Sequence, residues 1–396
     1  MKEGMLQMSA EDRRRMIILS KVKAQQSSLR EASEKLGISY RQCKRLWKRY
    51  REGGERAIIH RARGVKPNNR LDLELKAKIV ARYRETYQEF GPTLACEKLE
   101  EEDGFPPISR ETLRLWLLEA GLWQRHRRRG PYRKRREPMH HFGELVQMDG
   151  SPHRWFGEEH NESCLMNMVD DATKTTLGIM DEQETSAIAM RALWAWIERY
   201  GIPMALYCDR KNVYLLNDEP AVDQQLEGKV AKSAFGLACE KLGIQIINAH
   251  SPQAKGRVER SHGVYQDRFV KELRLRGAKR IEEANMILQG GFTEKLNSKF
   301  AHAPLSAEDF HVPLRPGQDL RDIFCFEETR SVGRDWVVRF DNCFYQLLSD
   351  KHPLPRAGSK VIVRRWLDGS IFILHQNRRL HYSEFSPGKG EKKDIV

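Results

Sequence analysis

The 396-residue sequence contains no apolar run approaching the ~18 residues that a membrane-spanning helix needs. Its opening residues, MKEGMLQMSAEDRRRM, lack the apolar core of a secretion signal. Seven cysteines stand singly, at 43, 96, 164, 208, 239, 325 and 343. No two are spaced as in a zinc knuckle, and an odd number does not suit a disulfide framework. These absences argue against secreted, membrane-spanning and disulfide-stapled classes and fit a reduced cytosol. The hydrophobic fraction, 40%, is ample for packed cores. At roughly 100–200 residues per domain, the length predicts two to four domains.

Acidic residues are the scarcer charge. Against 55 Asp and Glu stand 69 Lys and Arg, a net charge of +14. The excess is not spread evenly: residues 1–137 carry net +15 and residues 138–396 net −1. A basic front on a near-neutral body predicts a nucleic-acid-binding module joined to something else.

Within the front, residues 9–60 read as a helix-turn-helix domain. A short helix with Leu29, Ala32 and Leu36 precedes a Gly37-Ile38-Ser39 turn, and Ser39 stands where it caps the next helix. That helix has Cys43, Leu46, Trp47 and Tyr50 at core spacing. Its other face offers Arg41, Gln42, Lys44, Arg45 and Lys48 to a major groove. Ser33 occupies a position where many such motifs have Ala. A second unit of the same kind is expected over 70–123. Its third helix, capped by Ser109, carries Leu113, Trp116, Leu117 and Leu118 inward and Arg110 and Arg114 outward. Residues 124–138 form a basic arm: 125–136 hold eight Lys and Arg, among them Arg127, Arg128, Arg129, Arg133, Lys134 and Arg135. No packed core absorbs that charge density, so the arm is expected on phosphates or in a minor groove.

From residue 139 the pattern changes to alternating strands and helices. Strands are expected at 145–148, 163–169, 175–180, 204–207 and 244–247, and helices at 187–200, 234–242 and 257–273; that order predicts a mixed sheet with helices on its faces. Two strands end on acids, Asp149 and Asp209, and the last helix carries Glu259 in its first turn, after a loop containing Pro252 and Gly256. Three carboxylates brought together repel unless a cation lies between them. Hard oxygen donors select Mg²⁺ or Mn²⁺, and two such ions ~3.5–4 Å apart suit phosphoryl transfer. Asp170 and Asp171, in VDDATK, read as a strand-ending turn, and His153 and His262 as structural histidines. Lys255 and Arg257, beside Glu259, are candidate DNA contacts.

The strings DGSPHRWF (149–156), VDDATK (169–174), SPQAKGRVER (251–260) and QDRFVKELRL (266–275) resemble the DDE transposases and retroviral integrases, and most closely the ISNCY type of bacterial insertion-sequence transposase. The resemblance covers nearly the whole chain. It implies an RNase H-like integrase catalytic core over 139–300 in which Asp149, Asp209 and Glu259 are the catalytic acids holding two Mg²⁺ or Mn²⁺ ions. It implies hydrolysis at the element's ends followed by strand transfer into target DNA, with no covalent enzyme intermediate. Its partners are duplex DNA, as terminal inverted repeats and target, and further copies of the chain in a synaptic multimer. A bacterial cytoplasm, at the nucleoid, is the implied location. The second acid departs from the retroviral pattern, being followed by Arg210-Lys211-Asn212, and a polar stretch at 213–231 lengthens the interval to Glu259.

A connector at 301–330 and a small antiparallel β-barrel, SH3-like, at 331–385 complete the expected layout, with strands at 336–340, 343–347, 360–364 and 371–374 and turns at Asp341-Asn342 and Asp368-Gly369. Residues 276–330 read as helical. Two other functions fit parts of the chain: a helix-turn-helix DNA-binding protein without catalysis, that is, a domesticated transposase, and an RNase H-type nuclease acting on hybrids.

Overall fold

A computed structural model describes residues 8–59, 71–124, 136–209, 233–248, 256–350 and 352–385. Most of the basic arm (125–135), the stretch 213–231 and Lys255 therefore lie outside the described residues. The chain divides into two compact units, 1–126 and 127–396.

The first unit begins with α1 (Ala10–Lys23), α2 (Leu29–Leu36) and α3 (Tyr40–Gly53). Gly37 ends α2 in the left-handed conformation, at φ +63°, which glycine adopts without a side-chain penalty. Ser39 then caps α3 as expected: its hydroxyl accepts from the Gln42 N–H, and the Gln42 side chain accepts from the Ser39 N–H. Leu19, Ala32, Leu36, Cys43, Leu46, Tyr50 and Ile58 form one core. Ser33 is buried with them, and its hydroxyl donates to the Arg30 carbonyl at 2.7 Å, so the position tolerates a polar residue. A second trio follows: α4 (Leu73–Thr86), α5 (Pro92–Glu101) and α6 (Arg110–Glu119). Ser109 caps α6, and Leu113 and Leu117 are fully buried. Leu118, expected inward, is 37% exposed, because it lies about 100° round the helix from Leu117, off the line that Leu113 and Leu117 make four residues apart.

The second unit is built on a five-stranded sheet of order β3-β2-β1-β4-β5: β1 (Val146–His153), β2 (Ser163–Asp170), β3 (Thr176–Asp181), β4 (Ala205–Cys208) and β5 (Gln245–Asn248). The first three form an antiparallel meander, and β4 and β5 continue it in parallel. The strand order and directions are those of the expected RNase H-like core. Helices α7 (Ser186–Tyr200) and α8 (Ala234–Leu242) share an apolar core with one face of the sheet, including Val146, Met148, Met166, Met168, Leu193, Trp196 and Phe235. Helix α9 (Gly256–Leu275) packs its Tyr265, Phe269 and Leu273 with Trp155, Leu165 and Met180 on the other.

Strand β1 is longer than expected and runs past Asp149 through Gly150, Ser151 and Pro152. Its pairing explains why. Antiparallel partners in β2 extend from Val146 to His153, whereas β4 pairs only with Val146 and Gln147. The far half of β1 therefore has one open edge, where a proline costs no ladder bond. At Gly150 a Cβ would lie 2.6 Å from the Glu184 carboxyl carbon, so a side chain there would have to displace that carboxylate.

Two asparagines cover the free edge of β3. The Asn297 amide both accepts from the Thr176 N–H (2.8 Å) and donates to its carbonyl (2.9 Å), and the Asn285 amide does the same with Met180 (2.8 and 2.9 Å). They come from α11 (Thr293–Phe300) and α10 (Ile281–Ile287). Each side chain imitates a paired strand residue and blunts the edge.

The connector is neither wholly helical nor loose. Residues 301–312 run back along the core, with Phe310 N–H bonded to the Phe142 carbonyl at 2.8 Å and Ile202 bridged to Val312. His311 is fastened between Trp196, whose Nε1 donates to His311 Nε2 at 3.0 Å, and Asp309, 2.7 Å from its Nδ1. After α12 (Leu320–Ile323), residues 325–331 form strand β6 (Cys325–Ser331), where the sequence pattern predicts connector. It pairs along its whole length with β9 (Lys360–Trp366). The tail is two antiparallel sheets around one core, of order β11-β10-β9-β6 and β12-β8-β7. The remaining strands are β7 (Val337–Phe340), β8 (Cys343–Leu347), β10 (Ile371–His375), β11 (Arg378–Leu380) and β12 (Tyr382–Phe385). Asp341-Asn342 makes the expected hairpin, both residues at positive φ.

Phe269 is fully buried between Trp155, Tyr265 and Phe292. Phe269→Ala is expected to destabilise the second unit by about 3–5 kcal/mol, read as a lower urea midpoint, with the helical signal of the first unit unchanged.

Candidate active site and nucleic-acid interface

Side chains on a strand alternate between faces. The even residues of β1, Val146 and Met148, enter the α7 core, so Gln147, Asp149 and Ser151 point to the face that α9 covers. Gln147 is fully buried, Ser151 buried and Asp149 half-buried. Three polar contacts fix α9 over this face. Gln147 Oε1 accepts from the Val258 N–H at 3.1 Å; Asn167, Asp149's register partner on β2, donates to Ser261 Oγ at 2.9 Å; Gln266 donates to Ser151 Oγ at 3.1 Å. From 147 to 151 a strand advances ~13 Å, and from 258 to 266 a helix advances ~12 Å. Helix and strand therefore run side by side in the same direction, with Asp149 between the outer contacts and Glu259 one residue beyond the first.

Register brings the second acid to the same place. Val146 is level with Leu206 and Gln147 with Tyr207. Continued two residues, the same offset sets Asp149 level with Asp209, which follows the last residue of β4 and is half-buried. Glu259 is exposed. The backbone thus gathers the three acid-bearing segments at one end of the sheet. Among the described residues, no three His, Cys, Asp or Glu groups lie close enough to enclose an ion.

Asp170 and Asp171 are both fully buried at the end of β2. Asp170 accepts from the Gly143 N–H (3.0 Å) and from Thr173 N–H and hydroxyl (2.7 and 2.8 Å). Burial raises its carboxyl above the ordinary range against the pull of these bonds. Asp171 takes two guanidinium groups, Arg136 and Arg257 (2.9 Å), with Gln147 Nε2 (2.8 Å) and the Met139 N–H (2.8 Å). This alters the expectation for Arg257. Its side chain is 15% exposed, turned onto Asp171 and bonded to the Arg136 carbonyl at 3.3 Å, and so is engaged internally rather than displayed to DNA. Burial pulls that guanidinium below its ordinary value, and Asp171 opposes the shift. His153 stacks edge-on against Trp155 with ring centres 5.2 Å apart, in keeping with a structural role.

Sequence reasoning alone misses Gln147, Asn167 and Asp171 as members of the site. For Gln147 a signal exists: it stands two residues before Asp149, hence on the same strand face. For the other two, the register that matters cannot be read until the strands pair.

On the helical unit, Arg41, Gln42, Lys44, Arg45 and Lys48 are all exposed along α3. The Gln42 carbonyl oxygen is engaged in the cap, which leaves its amide N–H groups for a partner. On α6, Arg110 is exposed, whereas Arg114 is held by Glu111 through its Nε at 2.7 Å and lies beside the Trp123 ring. Arg127, Arg128, Arg129, Arg133, Lys134, Arg135 and Lys255 lie outside the described residues.

An α/β core of this strand order in the same chain as a helix-turn-helix unit defines a class of DNA-processing protein. Known proteins narrow it. A helix-turn-helix domain family matches residues 14–66. A putative transposase, y4bF, of Sinorhizobium fredii (strain NBRC 101917 / NGR234) is 36% identical over 384 residues, spanning 96% of this chain and 82% of its own. The transposase for insertion sequence IS1202 of Streptococcus pneumoniae is 26% identical over 408 residues, spanning 94% and 86%. The chain belongs to the insertion-sequence transposase family. Among solved structures, the HTLV-2 integrase catalytic core domain in complex with magnesium aligns with 38% of this chain and 86% of its own at 18% identity and a TM-score of 0.29. A simian T-cell lymphotropic virus intasome chain aligns with 80% and 99% at 13% identity and a TM-score of 0.32. Scores this low add nothing to the geometry. Among the described residues no helix is long and apolar enough to cross a membrane.

If α3 lies on phosphates and bases, Lys44→Ala with Arg45→Ala is expected to weaken duplex binding and to lower the slope of log affinity against log salt by up to about two. Both residues are exposed, so the melting temperature should stay as it is. Filter binding across a salt series, with a melting curve for each protein, measures both.

Proposed function

We propose that the chain binds the ends of its element through the helix-turn-helix front and cuts and joins DNA at Asp149, Asp209 and Glu259 with a divalent metal. The observation that carries this reading is the shared offset of β1 and β4, which sets two aspartates level on the face where the Glu259 helix begins. Three carboxylates are the hard-oxygen donor set that Mg²⁺ or Mn²⁺ takes, and their partial exposure leaves room for a phosphodiester. The bound metal, two ions in this reading, would supply an activated water or 3′-hydroxyl and charge stabilisation at the leaving oxygen.

The chain's own residues do the rest. Asp149 is held by the rigid central strand, and Glu259 by a helix fixed at three points. Gly263, on the Glu259 face of α9 and exposed, leaves space for a backbone to approach. Arg41, Lys44, Arg45 and Lys48 supply the positive face of α3 for phosphates and base edges, and Arg110 offers a further basic group on α6. The arm, through Arg127, Arg128, Arg129, Arg133, Lys134 and Arg135, grips the duplex by charge, and Lys255, four residues before Glu259 in the sequence, adds a further contact. A synaptic complex of several copies at two ends, in a bacterial cytoplasm, completes the proposal.

Asp149→Asn is expected to abolish Mg²⁺-dependent nicking and joining of end-containing DNA while retaining its binding. Wild-type cleavage by that variant would overturn the assignment. Binding by the wild type without nicking or joining, with Mn²⁺ and a range of ends, would instead favour a purely binding protein. Replacing Arg127, Arg128 and Arg129 together with Ala should weaken DNA binding and flatten its salt dependence; an unchanged slope would reduce the arm to a linker.

A further inference from the structure

Asp171 is an uncommon element of the core. It is a fully buried carboxylate that none of the proposed chemistry uses. Taking such a charge out of water costs several kcal/mol unless it is fully paired, and here it has four donors. Those donors are not drawn at random. Gln147 is two residues from Asp149 on the same strand face, Arg257 is two residues before Glu259, Arg136 stands near the end of the basic arm and Met139 directly follows it. Gln147 joins the parts: its Nε2 donates to Asp171 while its Oε1 accepts from the Val258 N–H. Val258 is in the first turn of α9, where backbone N–H groups have no partner within the helix. The cap of the Glu259 helix is thus supplied by the Asp149 strand, and Asp171 fixes the amide that supplies it.

We propose that Gln147 and Asp171 are positioning residues for the acid site: Gln147 sets the first turn of α9, and with it Glu259, against Asp149, and Asp171, through Arg257 and Arg136, ties that turn to the end of the basic arm. A buried, fully satisfied polar network stiffens the groups it connects, and supporting groups of this kind typically change metal affinity by about 10–100-fold when removed. The inference rests on the reading of the three acids as metal ligands.

The test is Mn²⁺ binding to the full-length chain by calorimetry, with a melting curve for each variant. Asp149→Asn tests the underlying reading and is expected to lose Mn²⁺ binding at the site; Mn²⁺ binding equal to wild type would overturn that reading and the inference with it. Gln147→Met keeps the side-chain length and removes both hydrogen bonds. It is expected to weaken Mn²⁺ binding by about tenfold or more while affinity for end-containing DNA holds. Arg136→Ala alters a partly exposed side chain and guards against loss of folding in the first variant; a smaller weakening is expected, restored by Arg136→Lys. If Asp149→Asn loses Mn²⁺ binding while a folded Gln147→Met and Arg136→Ala both bind within twofold of wild type, the positioning role is overturned. Should Gln147→Met fail to fold, unchanged Mn²⁺ affinity in Arg136→Ala overturns it alone.

Discussion

Everything at the site depends on the two-residue alternation of one strand. β1 lies at the centre of the sheet and is shared by two kinds of neighbour, antiparallel β2 and parallel β4. Its even positions are committed to the apolar layer under α7, and this commitment alone turns Gln147, Asp149 and Ser151 together onto the other face. A slip of one residue would bury Asp149 among Met166, Met168 and Trp196 and turn Met148 onto the polar face under α9. Apolar packing on one side therefore holds a polar stripe in place on the other, and α9 is fastened to that stripe by amide and hydroxyl contacts more than by its acid.

Much of this is legible in the amino-acid order alone. Ser39 and Ser109 cap the helices that their positions suggest, because a cap is a local arrangement of one side chain with N–H groups two or three residues on. The five core strands each overlap the apolar run from which they are expected, although β1 extends well beyond its own. What escapes has a non-local cause. β1 continues beyond its apolar run because β2 is long enough to pair with all of it. β6 hides within an expected helical connector because CFEETRS is polar on its outer positions and becomes a strand only against β9. Leu118, by contrast, is apolar but lies off the line of Leu113 and Leu117, so its place could be read only from the helix's angular period.

The site divides in the same way. The three acids can be singled out from their local contexts, strand then acid, or turn then helix. The partners that orient those segments cannot, because Asp171 meets Arg257 and Gln147 meets Val258 across intervals that only the folded sheet closes. Arg257 shows the hazard of reading charge locally: among basic neighbours it looks like a phosphate contact, and the fold turns it onto a buried carboxylate. The connector teaches a similar lesson, since residues 301–312 contribute His311 as a wedge between Trp196 and Asp309 and so belong to the core they were expected merely to leave.

The order in which the sheet is assembled also has a bearing on synthesis. The helical front is made of local contacts and is finished by about residue 123, and the β1–β3 meander closes soon after. The helix bearing Glu259 leaves the ribosome last among the acid-bearing segments and must return across more than a hundred residues to reach Gln147. A chain whose translation stops between these points would keep an intact front and lack the third acid. On the proposed reading, such a chain would keep the helix-turn-helix surface for DNA while lacking one of the three acids.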